Sequence, residues 1–433
     1  NIILAAPPAG MIQDAPDNKV LPPARIASFF ARANYIYNNK YIATVSVRRD
    51  GSNSFGPNNR WANFPSASLA WKVGEEDFLK DSRIVNDLKL RLGYGQSGND
   101  RIPGFLFDTY YTPSTDYGYT GGTGIITGAA PGNIKPNKNV KWEATVSSNA
   151  GIDFSLFNNK VYGSIDGYIT DTKDLLLLAK IPQTSGYEFE YQNSGKTQNK
   201  GLELALGAIV VSNENFSWKT DFNISHNRNI IKSLGPLTQS GTDYYLVPSG
   251  WVNNLFDFKV QLGQPVGMFY GYVTEGRYEI SDFDFNPANN TYKLKDGVPS
   301  TTNVALGNRA AQPGDLKLRD INGDGVIDTK DQTVLGNAQP KFYGGFNQTF
   351  KYKNFDMSLF FNFSVGNKVY NANKMEFTTK YQYTDQNMFA DMSNRWKWFD
   401  GDLKITDPTE LAALNANTTM WTPSAGNYFL HSY

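Results

Sequence analysis

Residues 320–331 read DINGDGVIDTKD, and their oxygen-bearing side chains fall at the spacing D-x-[DN]-x-[DN]-G of a calcium loop. A hard cation of this kind gathers roughly six to eight oxygens, and a twelve-residue loop presents them at alternate positions. Asp320, Asn322 and Asp324 would supply side-chain oxygens at positions one, three and five. Gly325 would make the sharp turn, Val326 would offer its carbonyl, and Ile327 would anchor the loop inward. Asp328 at position nine would act through water. Asp331 stands at twelve, where a bidentate Glu is usual, so a shorter clasp is expected. Pro313 and Gly314 before the loop, and Gly336 and Pro340 after it, argue against flanking helices. The expected role of Ca²⁺ is structural, clamping an external loop over 313–340 with an affinity of roughly 10⁻⁴–10⁻³ M.

Other candidate chemistry is thinner. The stretch TYYTPSTDYGYTGGTGIITG (109–128) offers Tyr110, Tyr111, Tyr117 and Tyr119 as stacking platforms for a sugar or peptide, and packing of the loop is the plainer reading. Ser194-Gly195-Lys196-Thr197 imitates the end of a phosphate loop, but Glu190 stands where that motif needs Gly. His226 and His431 are the only histidines, without a nearby nucleophile motif, so neither a triad nor a histidine metal centre is expected. His226 is expected to point into a polar lumen. Glu75 and Glu76 read as solvated charges at a turn, and Arg48, Arg49 and Asp50 as a local ion-pair site. Zero cysteines removes disulfides, thiolate nucleophiles and zinc–thiolate sites. No convergent catalytic set emerges, and the chain is not expected to be an enzyme.

The elements that must carry these residues are long strands. In KWEATVSSNAGIDFSL (141–156), Trp142, Ala144, Val146, Ser148, Ala150, Ile152, Phe154 and Leu156 share one parity. Lys141, Glu143, Thr145, Ser147, Asn149, Gly151, Asp153 and Ser155 share the other, so one face is dry and one wet. At ~3.3 Å per residue this run is ~53 Å long, where strands of soluble domains usually stop after about 5–6 residues. Tilted by ~45° it still rises ~37 Å, beyond the ~25 Å apolar band of an outer-membrane barrel. The same alternation recurs in 41–48, 88–94, 216–225 and 355–364. Trp142, Phe154, Trp218 and Phe222 are expected to face lipid; Lys141, Glu143, Asn149, Asp153, Asp221 and Asn223 are expected to face a lumen.

Turn chemistry sets the order of these strands. Short polar connections at Asn38–Asn39, Asn158–Asn159, Ser212–Asn215 and Tyr352–Asn354 suit tight hairpins. They alternate with long ones at 49–62, 95–139, 171–198 and most of 233–339. Short turns on one side and long loops on the other are the rhythm of a transmembrane barrel. Ten or eleven strands are expected. An irregular lead-in is expected over 1–27, and barrel over 28–433.

Composition agrees. The chain has 433 residues, 40% hydrophobic, with 25 Tyr, 28 Phe and 8 Trp to form interfacial girdles. Mean hydropathy is −0.46, and no run of about eighteen apolar residues exists, which excludes spanning helices. Forty-one basic and forty-one acidic side chains cancel, so net charge points to neither nucleic acid nor an anionic membrane surface. The opening NIILAAPPAGMIQDAPDNKV is not a signal peptide. An exported protein is made with one, so the sequence is expected to be part of a longer protein.

With these residues in view, the sequence resembles the SusC/RagA family of TonB-dependent outer-membrane transporters. The stretches are VRRDGSNSFGPNNRWANFPSASLAWKV (47–73), DLKLRLGYGQSGN (87–99), TKDLLL (172–177) and NKGLELAL (199–206). They continue with GQPVGMFYGYVTEGRY (263–278) and PGDLKLRDINGDGVIDTKDQTVLGNAQPKFYGGFNQTF (313–350). The resemblance covers about residues 28–430 and implies an all-β, antiparallel barrel of 22 strands around a plug, of which this chain would form the middle-to-late portion. It implies a SusD-type surface lipoprotein as lid, TonB as the energy source, oligosaccharides or peptides as cargo, and the bacterial outer membrane as location. A dimer of transporter–lipoprotein pairs is left open. No plug or TonB box is recognisable within these residues. The competing reading is a secreted β-rich adhesin or carbohydrate-binding protein with a calcium-stabilised loop; it does not account for the strand length or the one-sided loop lengths.

Overall fold

The computed structural model describes residues 24–109, 111–121, 124–237, 242–250, 256–378 and 387–423, with backbone alone over 111–131. The expected lead-in therefore lies, through residue 23, outside the described residues.

Ten strands form one antiparallel sheet whose order follows the chain. They are β1 (Ile26–Tyr37), β2 (Tyr41–Ser52), β3 (Trp61–Lys72), β4 (Val85–Asn99) and β5 (Glu143–Leu156). The remainder are β6 (Val161–Lys180), β7 (Phe189–Ser212), β8 (Phe216–Ser233), β9 (Phe342–Tyr352) and β10 (Phe355–Val365). A short strand, Ile134–Lys135, pairs with the start of β7. Asn38 and Asn39 sit at φ 49° and 57°, and Asn158 and Asn159 at 55° and 61°, the left-handed conformation that tight hairpin turns demand and that Asn tolerates.

Register turns the alternation into continuous rows across the sheet. One row runs Leu88, Phe154, Gly163, Leu206, Phe222, Phe346 and Phe361; the next runs Leu90, Ile152, Ile165, Leu204 and Ile224. A third joins Tyr35, Ala43, Leu69, Leu92, Ala150, Gly167 and Leu202. Leu69, Leu92 and Leu202 are 58–59% exposed, so none of the described residues covers this apolar face, which is the lipid face. The opposite face carries rows such as Arg32, Ser46, Ser66, Gly95, Ser147, Thr170, Asn199 and Asn229.

Two aromatic bands bound the apolar rows. Trp61 stacks on Phe29 at 6.0 Å under the Arg49 guanidinium, and Trp71 stacks on Tyr41 at 6.2 Å. Trp61 and Trp71 are ten residues apart on the same face of β3, ~34 Å along the strand, or ~24 Å of height at ~45° tilt. Glu76, beyond the end of β3, accepts from the Tyr41 hydroxyl (2.7 Å), the Trp71 indole (2.9 Å) and Lys40 (2.9 Å). These donors hold its carboxyl down to about 2, the Tyr41 hydroxyl contributing most. It is thus the polar anchor of the lower band, more than the solvated turn charge expected.

Three other expectations change. Trp142 does not face lipid: it precedes β5, is 8% exposed, packs with Phe55, Phe64, Leu106 and Val140, and donates its indole N–H to the Arg60 carbonyl at 3.1 Å. His226 has the parity of Phe222 and Ile224, so it stands on the outer face, its Nδ1 2.5 Å from the Lys341 carbonyl. The connection 171–198 is largely ladder, because β6 runs to Lys180 and β7 starts at Phe189. Irregularities between Asn193 and Gly195 and between Gly195 and Thr197 reset the alternation there, which hides the strands from a period-two reading.

In the full-length protein, Ile152→Arg should cost about 2–4 kcal/mol of folding free energy and Ser147→Arg much less, as these residues of β5 face lipid and lumen respectively. The heat-modifiable mobility of outer-membrane fractions reads this difference; equal tolerance would reverse the facing assignment.

Candidate functional site

The inner wall is polar by sequence parity and becomes a site by register. Arg91 on β4, Gly151 on β5 and Asp166 on β6 are successive cross-strand partners. Arg91 reaches over Gly151 to Asp166 at 2.9 Å, and forks onto Asp153 with Nε at 2.8 Å and Nη2 at 2.7 Å. Lys89 approaches Asp153 at 3.4 Å, so two cations and two carboxylates balance. A Cβ on Gly151 would collide with both Asp166 and Arg91. Tyr168 repeats the device: its ring crosses Gly201 of β7 and its hydroxyl donates to Asn227 of β8 at 3.2 Å. Tyr162 crosses Gly207 and donates to Asp221 at 2.7 Å. Between these crossings lie hydroxyl and amide pairs: Ser46–Ser66 (2.6 Å), Ser147–Thr170 (3.0 Å) and Asn229–Asn199 (2.9 Å). Bidentate charge-assisted bonds fix direction as well as strength, so the wall presents ordered polar groups rather than mobile ones.

Of the residues expected in the lumen, Asn149, Asp153, Asp221 and Asn223 lie on this wall. Glu143 opens β5, accepting from the Leu176 amide (2.9 Å) and Asn99 (2.7 Å). Lys141 precedes the strand and pairs with Asp174 at 3.0 Å. Lys89, Arg91, Tyr162, Asp166 and Tyr168 were not singled out from sequence. Their parity was readable, but their mutual contacts require the strand order.

The loop after β8 and the segment after β10 fold together. Tyr278, Phe283, Leu316, Leu318, Ile327, Trp396, Leu411 and Trp421 form a core of buried side chains. Asp315, 2% exposed, receives both terminal nitrogens of Arg309 at 2.6 and 2.7 Å and fixes the strand leading into the acidic loop. Ile327 is wholly buried, pinning that loop to the core.

Within the loop, Asp320 accepts from the amides of Gly323 (2.7 Å) and Gly325 (2.8 Å). Asn322 accepts from the Asp324 amide, and Asp324 from that of Val326. Val326 also forms an isolated bridge with Ser300. Asp331, wholly buried, accepts from Ile321, Asn322 and Asp328 amides at 2.8, 3.4 and 2.8 Å, and Asp328 caps Lys330. The carboxylates thus bind the loop's own amides, and among the described residues no three acids or histidines converge as a ready metal cluster. Carboxylate lone pairs remain beyond those used, and the donor set of Asp and Asn oxygens suits a hard cation. Tyr110 lies outside the described residues; Tyr111, Tyr117 and Tyr119 fall on the strand Tyr111–Gly121, of whose side chains nothing is described.

The sequence pattern of the family described as "TonB dependent receptor-like, beta-barrel" matches residues 7–307. The chain belongs to that family. It forms part of the wall of an outer-membrane β-barrel of the SusC/RagA kind. TonB-dependent receptor P3 of Formosa agariphila is 34% identical over 86% of this chain and 34% of its own length. TonB-dependent receptor SusC of Bacteroides thetaiotaomicron is 33% identical over 80% of this chain and 32% of its own length. The structure of the RagAB peptide transporter superposes with a TM-score of 0.67 at 22% identity, over 89% of this chain and 38% of that one, and shares its fold. The chain spans about a third of the length of the curated relatives it matches.

Asp320 is held below the usual aspartate range, first by the Gly325 amide, with partial burial opposing and the Gly323 amide adding. A lowered folded value means this contribution to stability is complete above the unfolded value of ~3.9 and lost as pH falls through the lower folded one. Hydrogen exchange at Gly323 and Gly325, corrected for intrinsic rate, should be level from pH ~7 to ~5 and lose protection in acid. Asp320→Asn should flatten that dependence.

Proposed function

We propose that this chain is barrel wall from an energy-coupled importer that carries bulky oligosaccharides or peptides across the outer membrane. The observation that supports the reading most is the inner wall itself: a charge-balanced, hydroxyl-rich surface fixed by side chains that cross glycine gaps. Such a wall offers a passing polar solute many weak hydrogen bonds and no deep trap. Covalent chemistry is not part of this function. TonB would supply energy through a plug, and a SusD-type lipoprotein would close over the extracellular loops. The folded unit built from the connections after β8 and β10 is a rigid surface on which such a lid can seat. RagAB is described as a peptide transporter and SusC as a TonB-dependent receptor, which favours import while leaving both cargo classes in play.

A strain lacking the full-length gene should lose uptake of either fluorescent oligosaccharides or fluorescent oligopeptides, and a strain lacking TonB should lose the same one. Retention of both would overturn the importer reading. The acidic loop is proposed as a calcium clamp, in which Asp320, Asn322, Asp324, Val326, Asp328 and Asp331 supply oxygens. Adding millimolar calcium to chelator-treated full-length protein should raise the melting temperature of the extracellular unit, and Asp320→Ala should abolish the rise. Identical melting with and without calcium would remove the clamp.

A further inference from the structure

At the outer end of the lipid face, the apolar rows give way abruptly to cations. The row above Leu202 runs Tyr94, Ser148, Ile169, Lys200 and Arg228, so Lys200 and Arg228 are direct cross-strand partners on the outer face. Like charges directly opposite on a sheet repel. No acid in the described residues pairs with either: the nearest acid on this face, Asp171 one row further out, is taken by Gln198 at 2.9 Å and Lys196 at 3.8 Å. His226, one row inward, is engaged with the Lys341 carbonyl. The neutral net charge of the chain conceals this local basic pair.

Immediately beneath lies a depression of about 730 Å³, lined on the outer face by Leu69, Leu92, Tyr94, Ala150, Gly167 and Ile169. It exists because Ala150 and Gly167 stand between Leu92 and Leu202 in one row. Ile169 lines the depression and is also the cross-strand partner of Lys200, so the apolar hollow and the cations are contiguous.

We propose that this is a binding site for a lipid of the outer leaflet that carries an uncapped phosphate monoester, its phosphate between Lys200 and Arg228 and an acyl chain in the Ala150–Gly167 hollow. Charge complementarity selects the phosphate, and the hollow selects a lipid over a free anion. The site lies outside the lumen and does not depend on cargo or import.

The test uses the full-length protein in neutral detergent, with bound species counted by native mass spectrometry. The probes are dipalmitoyl phosphatidic acid, dipalmitoyl phosphatidylcholine and sodium phosphate. Phosphatidic acid should be retained at least tenfold better than phosphatidylcholine. Lys200→Gln combined with Arg228→Gln should remove that preference, and Lys200→Arg should keep it. Gly167→Leu should weaken retention, since a Cβ there meets nothing nearer than 4.0 Å and the added side chain enters the hollow. Heat-modifiable mobility establishes that each variant is folded. Equal retention of the two lipids, unchanged retention in the double variant, or displacement by an equal concentration of sodium phosphate would each overturn the site.

Discussion

In hydrocarbon there is no water to satisfy a peptide group, so every amide and carbonyl of a crossing segment must find its partner in the sheet. The ten-strand ladder answers that demand on both sides of β2 to β9 and on one side of β1 and β10, and among the described residues no helix is long and apolar enough to cross instead. Once the backbone is spent on the ladder, side chains alternate between lipid and lumen without choice. Polar exceptions on the lipid face must then be satisfied locally. Gln348, in the row with Thr220 and Leu359, accepts from the Trp218 indole at 2.6 Å and donates to Thr220 and to the Asn347 carbonyl.

Much of this was legible in sequence because the alternation is a direct imprint of the two solvents. Of the alternating run 141–156, residues 143–156 form β5, and 216–225 and 355–364 fall within β8 and β10. Legibility failed where the ladder is irregular or ends. The irregularities on either side of Gly195 break the period in β7, so the outer parts of β6 and β7, 171–180 and 189–198, look like a loop. Extending the parity of β5 back to Lys141 carries it two residues too far, past the point where Trp142 turns into an aromatic cluster. The ion network was illegible for a different reason. Residues 100–142 separate β4 from β5, and nothing local announces that Arg91 lies opposite Gly151.

The glycines on the inner wall link fold to site. A strand without a side chain at one inward position is a gap, and Arg91, Tyr162 and Tyr168 each bridge such a gap to reach the second strand over. This couples strands that share no backbone hydrogen bond and stiffens the wall against shear. Outside the membrane the design changes from one exposed face to an enclosed core, with Ile327 and Leu318 holding the acidic loop as any soluble domain would. One chain thus uses two packing regimes, and the change of regime occurs where the outward rows lose their apolar residues.

The two tryptophans of β3 also act as a gauge. Their separation fits an apolar slab of ~24 Å, thinner than the ~30 Å hydrocarbon core of a typical bilayer. Each ångström of mismatch costs a fraction of a kcal/mol, so a thick membrane must pinch inward around the protein or leave its indoles stranded among acyl tails. The wall is therefore tailored to one compartment by thickness alone, a form of address written in the spacing of two rings.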